Sequence, residues 1–218
     1  MLHNESCVNG ESSMPPKFKY TREQIVECAV SIVRETGMDG VTARELGKRL
    51  GVSVKPIFTA FTNMDEVKSA VFERVLQIYH ASAEECAGEM PSFKRSGMQV
   101  IRFAKKEPML FRLLFMQPCP GRSFGQAMED LLKGDDQTIR GLMEVHGLSR
   151  EDAGRLFELI WVQTYGIASH IALGLCDFKE EEISQMLSIA FVGILTALKS
   201  GAADAYLEEL RGRQERKE

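Results

Sequence analysis

Apolar positions along this chain recur three and four residues apart, and no stretch of any length shows strand-like alternation, so the pattern predicts an all-α protein. Leu46 and Leu50 lie four apart between Thr42 and Gly51. Thr42 followed three residues on by Glu45 has capping-box spacing, which predicts a helix starting at Ala43, and Gly51 suits the left-handed turn that would end it. A second short helix is predicted from Val54 to Phe61. Val52 would be buried at the corner, Ser53 would be the cap, Pro56 falls in the first turn, and Ile57, Phe58 and Phe61 are the apolar anchors. Val67, Val71, Val75 and Ile78 then mark a long helix from Asp65 to about Gly88, and Pro91, Pro108, Pro118 and Pro120 punctuate shorter pieces, with breaks near 105–108 and 117–121.

The last third predicts two strong helices, from Ser149 to about Leu175 and from Glu180 to Ser200. In the first, Leu156, Leu159, Ile160, Ile167 and Ile171 form one face, with Phe157, Trp161, Ala168 and Leu175 on a neighbouring one. In the second, Ile183, Met186, Leu187, Ala190, Phe191, Ile194, Leu195 and Leu198 keep helical spacing throughout, while Val192, Gly193 and Ala197 widen the apolar surface. Helices apolar on more than one face need more than one partner. They are either central helices of a monomer or part of a bundle shared by two subunits.

The short hairpin at 42–61 reads either as a packing unit or as a helix-turn-helix, and charge favours the second. Residues 42 to 55 carry Arg44, Lys48, Arg49 and Lys55 against Glu45 alone, in a chain whose formal net charge is −4. Ser53, Val54, Lys55 and Thr59 would point outward. Val54 and Thr59 can touch thymine methyls, and Lys55 can donate to guanine acceptors or equally to a phosphate. Lys17 and Lys19, at the end of a polar tail over residues 1–18, can also brush the DNA backbone.

Thr21 to Val71 resembles the N-terminal domain of the TetR family of bacterial transcriptional regulators. The resemblance rests on Ile25, Ala29, Ile32 and Val33 in a first helix, Gly37 and Gly40 before Val41-Thr42, the run LGKRLGVS, and a closing aromatic at Phe61. It implies a three-helix DNA-binding head over residues 19–64 and a larger helical domain over 65–205 that dimerises and binds a small effector, leaving a charged tail at 206–218. The family usually has Tyr, one residue, then His at the end of the recognition helix, and Lys opening the next. Here Phe58, Ala60 and Met64 stand at those places, and none can reach a phosphate through a hydroxyl, imidazole or ammonium. The DNA-facing set is then Thr42, Arg44, Lys48, Ser53, Val54, Lys55, Phe58, Thr59, Thr62 and Asn63. Asn63, with Glu66 three residues later, also reads as a helix cap.

The resemblance also favours the two-subunit reading of the last helices, a four-helix bundle through Leu156, Ile160, Ile167, Ile171, Met186, Leu187, Ala190, Phe191, Ile194 and Leu198. Gly166, Ala168, Ser169, Ala172, Gly174 and Gly193 would allow close approach. The run from Trp161 to Ala168 resembles the Trp-then-His-Gly pattern of one C-terminal subgroup of the family, with Tyr165 in place of His. Two heads related by a two-fold axis would read an inverted repeat in double-stranded DNA. A pocket for a hydrophobic or amphipathic effector, cationic in view of Glu158, would be lined by Phe103, Met109, Phe111, Phe115, Met128, Leu142, Trp161 and Tyr165, although the same residues suit an ordinary core.

Composition narrows the remaining choices. Five cysteines, at 7, 28, 86, 119 and 176, form no CxxC pair or zinc spacing, and reduced, mostly buried thiols are expected. A redox sensor at Cys119 is one alternative, and a helical interaction module with a degenerate head is another. No catalytic, metal or cofactor motif is present, the histidines are scattered, and His170 reads as a hydrogen-bonded core or interface residue. The N-terminus has no signal-peptide run, and the apolar stretch Met186–Leu198 is shorter than the ~20 residues that span a bilayer, which points to the cytoplasm and no membrane partner.

Overall fold

The computed structural model describes residues 20–83, 92–117 and 135–214. The tail with Lys17 and Lys19, the end of the long helix toward Gly88, Met128, Cys7, Cys86 and Cys119, and the expected breaks at Pro91, Pro118 and Pro120 lie outside them. Every regular element among the described residues is helical. In the head these are α1 (Arg22–Thr36), α2 (Ala43–Leu50) and α3 (Lys55–Ala60), and α4 (Met64–Ala81) leads out of it. The body is built from α5 (Ser92–Lys106), α6 (Pro108–Phe115), α7 (Asp135–His146), α8 (Arg150–Ala172), α9 (Glu180–Lys199) and α10 (Ala202–Gln214).

Local chemistry sets most of these boundaries. Thr21 and Gln24 exchange reciprocal bonds at the start of α1, the Gln24 backbone N–H donating to Thr21 Oγ1 at 3.3 Å and the Thr21 N–H to Gln24 Oε1 at 2.8 Å. Gly37, at φ 78°, ends that helix. Ser149 caps α8 by accepting the Asp152 N–H at 3.0 Å, and Pro108 opens α6 where its missing N–H does no harm. Two boundaries differ from expectation. Gly174, at φ 70°, turns the chain so that α8 stops at Ala172, and residues 202–214 form a helix where a charged tail was expected.

Packing builds outward from α8, which lies against α5, α6, α7 and α9. The head is welded to this body. α1 packs on both α4 and α6, and one core runs from Ile25, Ile32, Leu46 and Ile57 through Val71 and Tyr79 to Phe103, Phe111 and Trp161. On α4 the buried stripe is Val67, Val71, Val75 and Tyr79, with Ile78 only half-buried beside it. Arg34 on α1 makes a bidentate pair with Glu107 at the α5–α6 junction, at 2.8 and 2.9 Å. Such a surface pair adds little stability, but its fork geometry fixes the angle between α1 and the body. A second, smaller core joins Ile139, Leu142, Leu156, Ile160 and Leu198.

One membrane expectation needs correction. Met186–Leu198 lies inside α9, which at 20 residues is long and apolar enough to cross a bilayer by length and composition. It buries Ile183, Leu187 and Leu198 inside the chain and leaves a second apolar side outward.

Candidate nucleic-acid interface

The head presents α2 and α3 as a helix-turn-helix. Thr42 Oγ1 accepts the Glu45 N–H at 3.2 Å, and Gly51 closes α2 in the left-handed region at φ 63°, ψ 37°. The turn is tight. The Val52 N–H donates to the Gly47 carbonyl at 2.9 Å, and a Cβ on Gly47 would lie 2.9 Å from the Val52 carbonyl oxygen, so the backbones approach too closely for any side chain there. Leu46 is fully buried beneath this turn.

Several local expectations change. The Glu45 carboxylate does not complete a capping box and instead takes Arg49 at 3.0 Å. Arg49 also clasps Glu35 on α1 at 2.6 and 2.7 Å, so this guanidinium holds α2 to α1, and its proton is bound more tightly than usual through those two carboxylates. Ser53 does not cap α3. That helix starts at Lys55, with Val54 in the cap position, already in helical conformation and making no side-chain cap bond. Val52 is half-buried rather than buried at the corner.

On α3, Ile57 is fully buried and Phe61 closes the core just beyond the helix. Phe58 points the other way. It is 44% exposed and Val54 is 43% exposed, four residues apart on one side of the helix, next to exposed Lys55 and Thr59. The expected anchor is therefore an outward residue, because a helix this short can turn only one residue per turn into the core. Thr59 Oγ1 donates to the Lys55 carbonyl at 2.9 Å, which leaves its methyl as the free contact group. All ten residues expected to face DNA, from Thr42 to Asn63, are exposed. Arg44 and Lys48 flank them on α2, Lys48 at 4.0 Å from Glu45.

The far end of α3 is held by a residue that sequence reading missed. Arg22, at the start of α1, donates to the Ala60 carbonyl at 3.0 Å, lies 4.0 Å over the Phe61 ring and pairs with Glu66 at 2.7 Å. Periodicity carries no signal for contacts reaching across 38 residues of chain. Tyr20 acts similarly on α2, its hydroxyl donating to the Leu50 carbonyl at 2.6 Å. Asn63 is a cap, its Oδ1 accepting the Glu66 N–H at 2.9 Å, while Glu66 accepts the Thr62 N–H at 2.6 Å. The Thr62 N–H, followed by Arg22, holds the Glu66 carboxyl down to about 2 from 4.5. A folded value below the unfolded one stabilises above the unfolded value and is lost as pH falls. Glu66→Gln is therefore expected to flatten the pH dependence of the melting temperature between about pH 4.5 and 2, and to leave its slope above pH 6 unchanged.

The body bears on two further expectations. Phe111, Phe115, Trp161 and Tyr165 line none of the cavities among the described residues, and Phe103 only edges a polar groove with Arg74, Gln99 and Lys106. Tyr79, Phe103, Phe111, Phe115 and Tyr165 interlock at ring-centroid distances of 4.8 to 6.3 Å, Trp161 packs edge-on against Phe157, and the Tyr165 hydroxyl donates to the Phe115 carbonyl at 2.8 Å. Flat rings fill space best against one another, so these aromatics form the core. Met109 packs on the α1 turn, its Cε 3.3 Å from where a Gly37 Cβ would be. A cavity of about 350 Å³ does exist, between α5, α7, α8 and α9, and Leu142 alone of the expected residues lines it. Glu158 is exposed and is not among the lining residues.

Five of the ten expected subunit-facing residues turn inward. Leu156, Ile160, Ile167, Leu187 and Leu198 are buried within the chain, while Ile171, Met186, Ala190, Phe191 and Ile194 pack partly buried against its two cores. The outward sides of these helices carry Leu159 and Val162 on α8 and Ile189 and Val192 on α9, all at least half exposed. His170 is exposed, its Nδ1 2.6 Å from the Gly166 carbonyl of its own helix. Cys28 and Cys176 are half-buried free thiols, and burial pushes the Cys28 thiol above its usual value.

An all-helical protein with a helix-turn-helix head joined to a larger helical body is the class this geometry defines. Comparison with known proteins narrows it. The tetracycline repressor protein class D of Escherichia coli is 29% identical over 87 residues, which are 39% of this chain and 40% of the relative. The class C repressor of Escherichia coli is 34% identical over 62 residues, 28% of each chain, so the chain matches well under half the length of these curated relatives. Among solved structures, a TetR-family transcriptional regulator from Vibrio parahaemolyticus superposes with TM-score 0.55 at 15% identity, over 79% of this chain and 97% of that one. A transcriptional regulator from Rhodococcus sp. Rha1 gives TM-score 0.52 at 16% identity, over 84% of this chain and 97% of that one. No family model matches the chain. Its head is similar by sequence to tetracycline repressors, and its fold over most of its length is that of solved TetR-family regulators.

Proposed function

We propose that this chain is a sequence-specific DNA-binding transcriptional regulator, a homodimeric repressor of an inverted-repeat operator released by a small effector. The observation that carries this reading is the outward face of α3. Val54, Lys55, Phe58 and Thr59 stand exposed between a buried Ile57 and an anchored helix end, with Lys48 and Arg44 beside them for phosphates. Apolar side chains on a solvent-facing helix in a basic neighbourhood suit thymine methyls, and Lys55 suits a guanine edge. Thr42 and Asn63 spend an acceptor on capping and keep a hydroxyl or amide hydrogen to donate to phosphate. The relatives are tetracycline repressors, which supports repression as the mode of action and a cytoplasmic, non-enzymatic role.

Dimerisation is assigned to the outward face of α8 and α9. Leu159 and Val162 with Gly166, and Ile189 and Val192 with Gly193, form apolar columns with small residues that admit a neighbouring helix. A surface of this kind needs a cover, and a second copy supplies one symmetrically. The same helices wall the cavity, and Val192 of this face stands at its edge. An effector bound there can therefore bias the spacing of the two heads, to the extent that it prefers one arrangement.

Binding of the protein to the intergenic DNA upstream of its own gene, across a salt series, tests the reading. Lys55→Ala is expected to weaken specific binding by about 1–3 kcal/mol. Lys48→Ala should weaken binding to all sequences alike and reduce the salt slope by about one. Lack of specific binding there and in a random-sequence selection, from a protein that still forms a dimer, would overturn the regulator in favour of a helical interaction module.

A further inference from the structure

The cavity has a charged end and an apolar end. At the first, Lys94 lines the wall and its Nζ donates to Ser184 Oγ on α9 at 2.8 Å. At the second, His146 packs edge-on against Phe191, with ring centroids 5.3 Å apart. On α9 the lining runs from Leu187 to Val192, five residues along one helix, so that wall of the slot is about 8 Å long. Leu142, Ile160 and Leu187 supply its apolar walls. Gly97 opens the floor, since a Cβ there would sit 3.5 Å from Thr164 Oγ1 and 4.0 Å from Leu187 Cδ1, inside the space now free.

Charge gives this slot a sign. Among its described lining residues there is no carboxylate, and Lys94 and His146 are the residues able to carry charge. Lys94 also borders a shallow groove with Glu180, Glu181 and Ser184. Glu180 is paired with Arg102, and Glu181 forms no ion pair with the lysine. The Lys94 ammonium therefore has one hydroxyl partner and two hydrogens left at the cavity's edge.

We infer that the slot binds an amphipathic organic acid, its apolar body lying along α9 and its carboxylate meeting Lys94. This reverses the cationic effector suggested by Glu158, which lies outside the slot. A charge-assisted bond from a half-buried ammonium is stronger than the neutral one a hydroxyl ligand would make, and a cationic head would meet Lys94 without a compensating carboxylate. As the identity of the effector, the inference rests on the regulator reading; as a binding site, it stands on the cavity.

The test is calorimetric titration of the full-length protein, without DNA, with decanoate, decanol and decyltrimethylammonium below their micellar concentrations. These probes share a tail suited to the slot and differ in head charge. Decanoate is expected to saturate at one per chain, decanol to bind about tenfold more weakly, and the ammonium not to saturate. Lys94→Met should cost decanoate about that tenfold and leave decanol unchanged, whereas Gly97→Val should block both with the circular dichroism spectrum retained. Equal binding of acid and alcohol, tighter binding of the cation, unsaturable uptake, or an undiminished affinity in Lys94→Met would each overturn the inference. Operator binding measured in parallel separates the two claims. Saturable decanoate binding without operator binding sinks the regulator and keeps the slot, and operator binding without decanoate binding does the reverse.

Discussion

Ile189→Glu is expected to leave a folded monomer that holds an inverted repeat about 10²–10⁴-fold less tightly than the parent. Ile189 is 74% exposed on the outer side of α9, between Gln185 and Val192 on that helix and away from both cores. A carboxylate there stays in water in the monomer, so the melting temperature of the protomer should change by no more than a surface substitution allows, about 0.5 kcal/mol in stability. Across a two-fold interface the same substitution sets two like charges close together in a desolvated patch, a penalty of several kcal/mol. The operator effect follows from valency, because a dimer presents its second head at high local concentration once the first has bound, and a monomer does not. Sedimentation of Ile189→Glu beside Ile160→Ala checks the face. Ile160 is buried inside the chain, so Ile160→Ala should lower stability and keep the dimer. A dimeric Ile189→Glu would remove the outward face of α9 as the interface.

Ile57→Ala is expected to destabilise the head by about 2–5 kcal/mol and to abolish operator binding with it. α3 is only six residues long, too short to persist by its own hydrogen bonds, and its place depends on what its inner side buries. Ile57 is fully buried against the core, with Phe61 behind it and Arg22 gripping the carbonyl at the helix end. Truncating Ile57 removes the only α3 side chain that is buried, so the loss should appear in denaturant unfolding as well as in DNA binding. Phe58→Ala supplies the contrast. Its ring is exposed, so unfolding should stay within about 0.5 kcal/mol of the parent while operator affinity falls. A Phe58→Ala protein that unfolds early would mean that the ring packs inward in solution.

Boundaries were legible from local sequence wherever a single residue decides the backbone. Thr42, Gly51, Pro108, Ser149 and Glu180 each start or stop a helix at or next to the expected place, because capping bonds, a left-handed glycine and a missing N–H act within one turn. Ser53 is the exception. With no side-chain bond formed there, nothing local marks the start of α3, and the packing of Ile57 decides it.

Helical class, the helix-turn-helix and its basic outward surface are thus properties of the linear chain, since spacing, caps and charge act over a few residues. Which side of a helix faces inward is not, when the helix is apolar nearly all round. α8 is packed by four neighbours, so Leu156, Ile160 and Ile167 serve the protomer's own core, and Leu159, Val162, Ile189 and Val192 are left on the outside. The aromatic residues became core and the cavity formed elsewhere for the same reason: ring packing and the gap beside Gly97 depend on helices distant in sequence. Arg22 on Ala60, Phe61 and Glu66 is likewise a tertiary outcome, a contact whose geometry exists only once α1 and α4 lie side by side.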